Sequence, residues 1–195
     1  LDGKPIAGPS RERGMVFQNY SLFPWLTVLK NVEFGLSLQG KPPKQAAERA
    51  RYYVNAVGLS SFENAYPNQL SGGMKQRVAI ARSLANDPQV ILMDEPFGAL
   101  DSQTRVVMQQ LLLGIWEKEH KTVLFVTHDI DEALYLGEKV YVMSARPGRI
   151  IDTIPVGFAH PRSYELSTAP EFVELKRRIQ HSLHAEVHKA LSSAA

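Results

Sequence analysis

Two strings in a fixed order constrain this chain more than anything else in it. Residues Leu70 to Arg77 read LSGGMKQR, and residues Val90 to Pro96 read VILMDEP. The first puts a serine and two glycines where a helix starts. A helix start offers unpaired backbone N–H groups and the positive end of the helix dipole, which suits an anion. Glycine there lets a phosphate approach the backbone with no Cβ in the way. The second string is a continuous apolar run, as in a strand covered on both faces, and it ends in paired carboxylates. Alone, each has an ordinary reading: a capped helix and a pair of solvated acids at a strand exit.

Composition narrows the field. The chain has 195 residues, 44% hydrophobic and 22% charged, as expected of one globular domain with a real core. Twenty-two Lys and Arg against 20 Asp and Glu leave a formal +2, which does not argue for nucleic acid. No cysteine is present, so disulfides and thiolate metal sites are excluded, and a reducing compartment fits. No apolar run approaches the roughly 18 residues of a membrane-spanning helix. The chain opens on LDGKPI with no initiator Met, and no G-x-x-x-x-G-K-[ST] phosphate loop precedes the two strings. A truncated amino terminus is the expectation.

Along the chain, Leu1 to Ile6 reads as the end of one strand, an Asp2-Gly3 turn and a second short strand. Met15 to Phe17 is a short strand leading to Gln18. A helix is predicted after Thr27, ended by Lys41-Pro42-Pro43, and another from Lys44 to Val57. Ser71 caps a helix running to about Leu84. Ser102 to Lys118 is helical, and Thr122 to Val126 reads as a second buried strand. Asp129 with Glu132 forms a capping-box variant. Lys139 to Ser144 and Arg149 to Pro155 are strands joined by a Pro147-Gly148 turn. Strands alternating with helices give an α/β sheet. The block 24–86 is mostly helical. We therefore expect an α/β core of 1–23 and 87–155, an inserted helical subdomain of 24–86 and a helical tail of 156–195.

Gln18, LSGG, VILMDE, the Gly98-Ala99-Leu100-Asp101 run and His128 occur in the order found in ATP-binding-cassette (ABC) ATPases, and the resemblance spans nearly the whole chain. It implies that the core of 1–23 and 87–155 is nucleotide-binding and P-loop NTPase-like, with its first strand and phosphate loop missing here. The run Leu22-Phe23-Pro24-Trp25-Leu26-Thr27-Val28 and the run Ala145 to Ile150 resemble importers of the nitrate, sulfonate and taurine class. The resemblance implies ATP and Mg²⁺ as cofactors, with Asp94 and Gln18 on the metal. Glu95 polarises the attacking water and His128 contacts the γ-phosphate. Ser71, Gly72 and Gly73 bind the γ-phosphate held by a second copy, and Asp101 reaches across that dimer interface. The implied partners are a second ATPase subunit, a transmembrane permease docked on Gln18 to Thr27 and, indirectly, a solute-binding protein. The implied place is the cytoplasmic face of the membrane, peripherally. Met74 stands where many relatives carry Gln, so a contact made by that amide is not carried over.

Two patterns are set aside. Gly35 to Pro42 matches G-x-x-x-x-G-K, but Pro42 replaces the required hydroxyl and the stretch follows a helix. In the tail, Phe172, Leu175, Ile179, Leu183 and Val187 form one apolar stripe. His181, His184 and His188 lie on the other face and read as solvated rather than metal-bound. Two further readings stay open: a truncated, non-enzymatic partner lending only its LSGG face, and a soluble ABC ATPase outside transport.

Overall fold

The computed structural model describes residues 1–192, with side chains as far as residue 186. These fall into two compact units, 1–126 and 127–195. In the first, β1 (Arg13–Val16) leads through a long loop to α1 (Val28–Leu38), α2 (Pro43–Ala56) and α3 (Gly72–Ala85). Then come β2 (Val90–Asp94), α4 (Ser102–Glu119) and β3 (Thr122–Val126). The three strands are parallel, in the order β1-β2-β3, with Met15 level with Leu92 and Leu92 level with Leu124.

Local chemistry explains the helix limits. Thr27 accepts from the Lys30 N–H at 3.3 Å, and Ser71 accepts from the Met74 N–H at 3.3 Å. Asp101 accepts from the Thr104 N–H at 3.0 Å. Each side-chain cap satisfies an amide that the helix cannot. Helices α1, α2 and α3 pack on one another through Val28, Val32 and Leu36, Ala46, Ala50 and Val54, and Val78, Ile80 and Leu84, all buried. Each fully buried Val, Leu or Ile side chain among them contributes about 1.5–3 kcal/mol. The stretch that mimics a phosphate loop is spent on this packing: Gly35 lies inside α1 and Pro42 caps α2.

Two expectations are corrected. Leu1 to Ile6 holds a turn, closed by the Lys4 N–H on the Leu1 carbonyl at 2.9 Å, but no strand. A strand exists only with a partner, and none among the described residues pairs with it. Strand β3 is also not buried on both faces: Leu124 is 55% and Val126 49% exposed. It is an edge of the three-stranded sheet, and its side chains alternate between a covered and an open face.

The second unit contains α5 (Ile130–Leu136), the antiparallel pair β4 (Lys139–Met143) and β5 (Ile150–Pro155), and α6 (Pro170–Ser192). Asp129 caps α5, accepting from the Glu132 N–H at 3.1 Å. Arg162, buried, donates to the carbonyls of Tyr135 and Gly137 at the end of α5. The apolar stripe of α6 is real over its visible length, with Phe172 and Ile179 buried. His181 and His184 are exposed. The side chains of Val187 and His188 lie outside the described residues. No helix among the described residues is long and apolar enough to cross a membrane.

Candidate functional site

Strand β2 delivers two carboxylates at its carboxyl end, where open parallel sheets bind ligands. Asp94 is exposed and carries no hydrogen bond or ion pair among the described residues. Glu95 leaves the strand in the left-handed region, at φ +42, an unfavourable backbone for this residue type. Its N–H is tied to the Val126 carbonyl at 2.9 Å, which holds it at the sheet end. The Gln18 Nε2 donates to Glu95 Oε2 at 3.3 Å across 77 residues of sequence. Gly98 completes the group: a Cβ there would lie 3.6 Å from Glu95 Oε2 and 3.8 Å from Gln18 Nε2. Thus Gln18, Glu95 and Gly98 meet, although they come from two strands' ends.

The start of α3 is open. Ser71 and Gly72 are exposed and Gly73 is buried. The Ser71 hydroxyl is oriented by its own helix, and a helix start of this kind leaves its first amides without intrahelical partners, as an anion site requires. Both glycines have a packing reason too. A Cβ on Gly73 would come within 2.6 Å of Thr104, and one on Gly72 within 3.0 Å of the Tyr20 hydroxyl. The helix tip is therefore wedged between the loop after Gln18 and the start of α4. Asp101 caps α4, and the Thr104 N–H holds its carboxyl below the usual carboxylate range. His128 is exposed, two residues beyond β3, in the second unit.

The loop from Gln18 to Thr27 presents aromatic surface. Trp25 is 70% exposed, and its ring lies 5.6 Å from Phe23, which in turn packs 4.5 Å from Phe34. Arg82 of α3 lies over the Phe23 ring at 5.5 Å and donates to the Ser21 and Tyr20 carbonyls. Asn31, fully buried, escaped the sequence reading. Its Oδ1 accepts from the Phe23 N–H at 2.9 Å, and its Nδ2 donates to the Phe23, Leu26 and Thr27 carbonyls. One side chain thus sets the shape of the loop. An asparagine in the first turn of α1, just after an aromatic loop, was the available signal.

A divalent magnesium ion needs few protein ligands, because water and phosphate oxygens complete its shell. The uncommitted Asp94 carboxylate and the exposed Gln18 amide fit that demand. No cluster of three or more His, Cys, Asp or Glu suited to a metal occurs among the described residues.

Comparison with known proteins places this arrangement. The ABC transporter family model matches residues 1–98. An uncharacterized ABC transporter ATP-binding protein of Methanocaldococcus jannaschii is 56% identical over 191 residues, covering 98% of this chain and 70% of that protein. The nitrate import ATP-binding protein NrtD of Synechocystis is 50% identical over 189 residues, covering 94% of this chain and 71% of that one. Among solved structures, the dimeric post-hydrolysis state of the ATP-binding cassette MJ0796 bound to ADP and Pi superposes with a TM-score of 0.64 at 41% identity. That match covers 75% of this chain, and the chain spans 64% of the solved cassette. With its parallel sheet, its serine-capped glycine helix and its strand-end carboxylates, the chain belongs to the ABC transporter family and has the fold of its ATP-binding cassette.

Proposed function

We propose that this protein is the ATP-hydrolysing subunit of an ABC importer, working as a dimer on the cytoplasmic face of the membrane and driving uptake of a small solute of the nitrate, sulfonate or taurine kind. The observation that carries the reading is the contact of Gln18 with Glu95 at the carboxyl end of β2, beside an Asp94 with no partner among the described residues. The class of solute rests on relatives named for nitrate, aliphatic sulfonate and taurine import and on the runs Leu22 to Val28 and Ala145 to Ile150.

In this mechanism Glu95 orients and polarises the attacking water, with the Gln18 amide fixing the carboxylate that does so. Asp94 and Gln18 hold Mg²⁺, which when bound neutralises charge on the transferring phosphoryl group. His128 contacts the γ-phosphate. The Ser71-Gly72-Gly73 amides close on the γ-phosphate bound by a second copy, and Asp101 lies at that interface. Little covalent chemistry is asked of the protein; positioning and charge supply most of the rate. The Gln18–Thr27 loop, with Trp25 outward, docks the permease, and a solute-binding protein acts indirectly through it.

These 195 residues contain no G-x-x-x-x-G-K-[ST] sequence, so by themselves they bind ATP weakly and turn it over slowly. Nucleotide titration of the 195-residue chain, set beside the full-length gene product with its permease, tests this. Family-typical saturable turnover by the 195 residues refutes the weak-binding statement. Absence of turnover from the full-length assembly refutes the ATPase reading. Trp25→Ala releases the permease on co-purification while leaving thermal stability unchanged, because the ring is largely in solvent; retention of the permease refutes the docking assignment.

A further inference from the structure

We infer that Gln76 is a positioning residue for phosphoryl transfer, its amide bracing the loop that carries Gln18 against the turn that carries Asp101; this rests on the ATPase reading above. Gln76 has no exposed surface, yet neither its Oε1 nor its Nε2 has a hydrogen-bond partner. An unpaired buried amide is rare and costly. A methionine of similar shape would fill the space without that penalty.

Its place on α3 gives the reason. Gly73, three residues before, abuts Thr104 and Leu100, and Gly72, four residues before, abuts the Tyr20 hydroxyl. Residues three and four apart stack along one helix face. Gln76 therefore lies one turn beneath the point where both loops meet the helix tip. One loop leads back to Gln18; the other is the turn from Glu95 to Asp101. That turn closes on two backbone bonds of its own, the Gly98 N–H to the Glu95 carbonyl at 3.2 Å and the Leu100 N–H to the Phe97 carbonyl at 3.1 Å. It starts from the left-handed Glu95. A carboxamide offers a donor and an acceptor together. With nucleotide and a second copy in place, the two loops draw onto the Gln76 amide, one giving a carbonyl and the other an N–H, and Glu95 is fixed against the water.

The experiment measures steady-state ATP turnover and thermal stability of the full-length protein with its permease, for wild type, Gln76→Met and Glu95→Gln. The expected result for Gln76→Met is a higher melting temperature, a kcat lowered about tenfold or more and a KM for ATP within about twofold. Wild-type kcat, or a kcat that falls only in step with stability, overturns the inference. Glu95→Gln separates the two levels. If wild type shows no turnover, the ATPase reading itself fails; if Glu95→Gln turns over like wild type, the role of Glu95 fails and the brace with it; if Glu95→Gln is inactive while Gln76→Met is unimpaired, only the brace fails. Should Gln76→Met not fold, a structure of the wild type with a non-hydrolysable nucleotide decides. Hydrogen bonds from the Gln76 amide to backbone of 18–20 and 97–101 support the brace. An amide still unpaired, or satisfied by a trapped water, overturns it.

Discussion

The two ends of the parallel sheet use the same kinds of side chain in opposite ways. At the carboxyl end, Asp94 is uncommitted among the described residues and Glu95 accepts from the Gln18 amide at 3.3 Å. At the amino end, the acid is answered. Asp87, just before β2, bonds to Lys121, just before β3, at 2.6 Å, and pairs with Arg49 of α2 at 3.6 Å. The Tyr53 phenol lies beside Arg49, and burial, aided by a bond to Glu119, pushes its pKa up. Asp87 and Glu95 even share a left-handed backbone, at φ +56 and +42. Backbone strain and acidity alone therefore do not mark a reactive carboxylate. What marks the two ends apart is the pair of aspartates: Asp87 is matched by Lys121 and Arg49, and Asp94 has no such match among the described residues.

That contrast is open to direct attack. The largest effect is expected at the carboxyl end: Glu95→Gln in the full-length protein lowers ATP turnover by about 10²–10⁴-fold with little change in melting temperature. A large loss of stability with the activity would place Glu95 among the structural acids. A smaller effect is expected at the other end. Lys121→Met costs under about 1 kcal/mol of stability, because Asp87 is 59% exposed and solvent screens the pair. Turnover per folded molecule stays at the wild-type value. If Lys121→Met slows turnover as Glu95→Gln does, the division between the ends is wrong.

The smallest effect is a pH dependence. The bond from Lys121, first among the causes, holds the Asp87 carboxyl below its ordinary value of 3.8. A carboxylate depressed in the folded state stabilises above the unfolded value and loses that stabilisation as pH falls through the folded one. Melting temperatures of wild type and Asp87→Asn, whose asparagine tolerates the left-handed backbone, should differ by a constant amount from neutral pH to about pH 5 and converge below about pH 4. A difference that does not shrink in acid removes the ion pair as its source.

Much of this was legible in sequence where the chemistry is local. Thr27, Ser71, Asp101 and Asp129 each cap a helix within three residues of themselves, so the starts of α1, α3, α4 and α5 could be read directly. The Pro147-Gly148 hairpin is similarly self-contained. What could not be read depends on distant partners. The segment Leu1 to Ile6 has strand-like residues but no neighbouring strand. Thr122 to Val126 is apolar throughout, yet whether such a strand lies inside a sheet or at its edge is settled by residues far away. The Asp87–Lys121 pair spans 34 positions and the Gln18–Glu95 contact 77. The second could be anticipated only through family resemblance, and the first had no sequence signal. Gln76 stood in plain view inside LSGGMKQR, but nothing in the string shows that its amide is walled off from water.

The Asn31 clamp has a consequence for how such proteins diversify. All its side-chain hydrogen bonds run to residues four to eight positions earlier, so the curve of the aromatic segment travels with the first turn of α1, and Arg82 of α3 is its anchor from outside. Evolution can retune Trp25 or Leu26 toward a new membrane companion while the scaffold beneath stays the same. An engineer who grafts 23–31 must carry Phe34 and Arg82 with it.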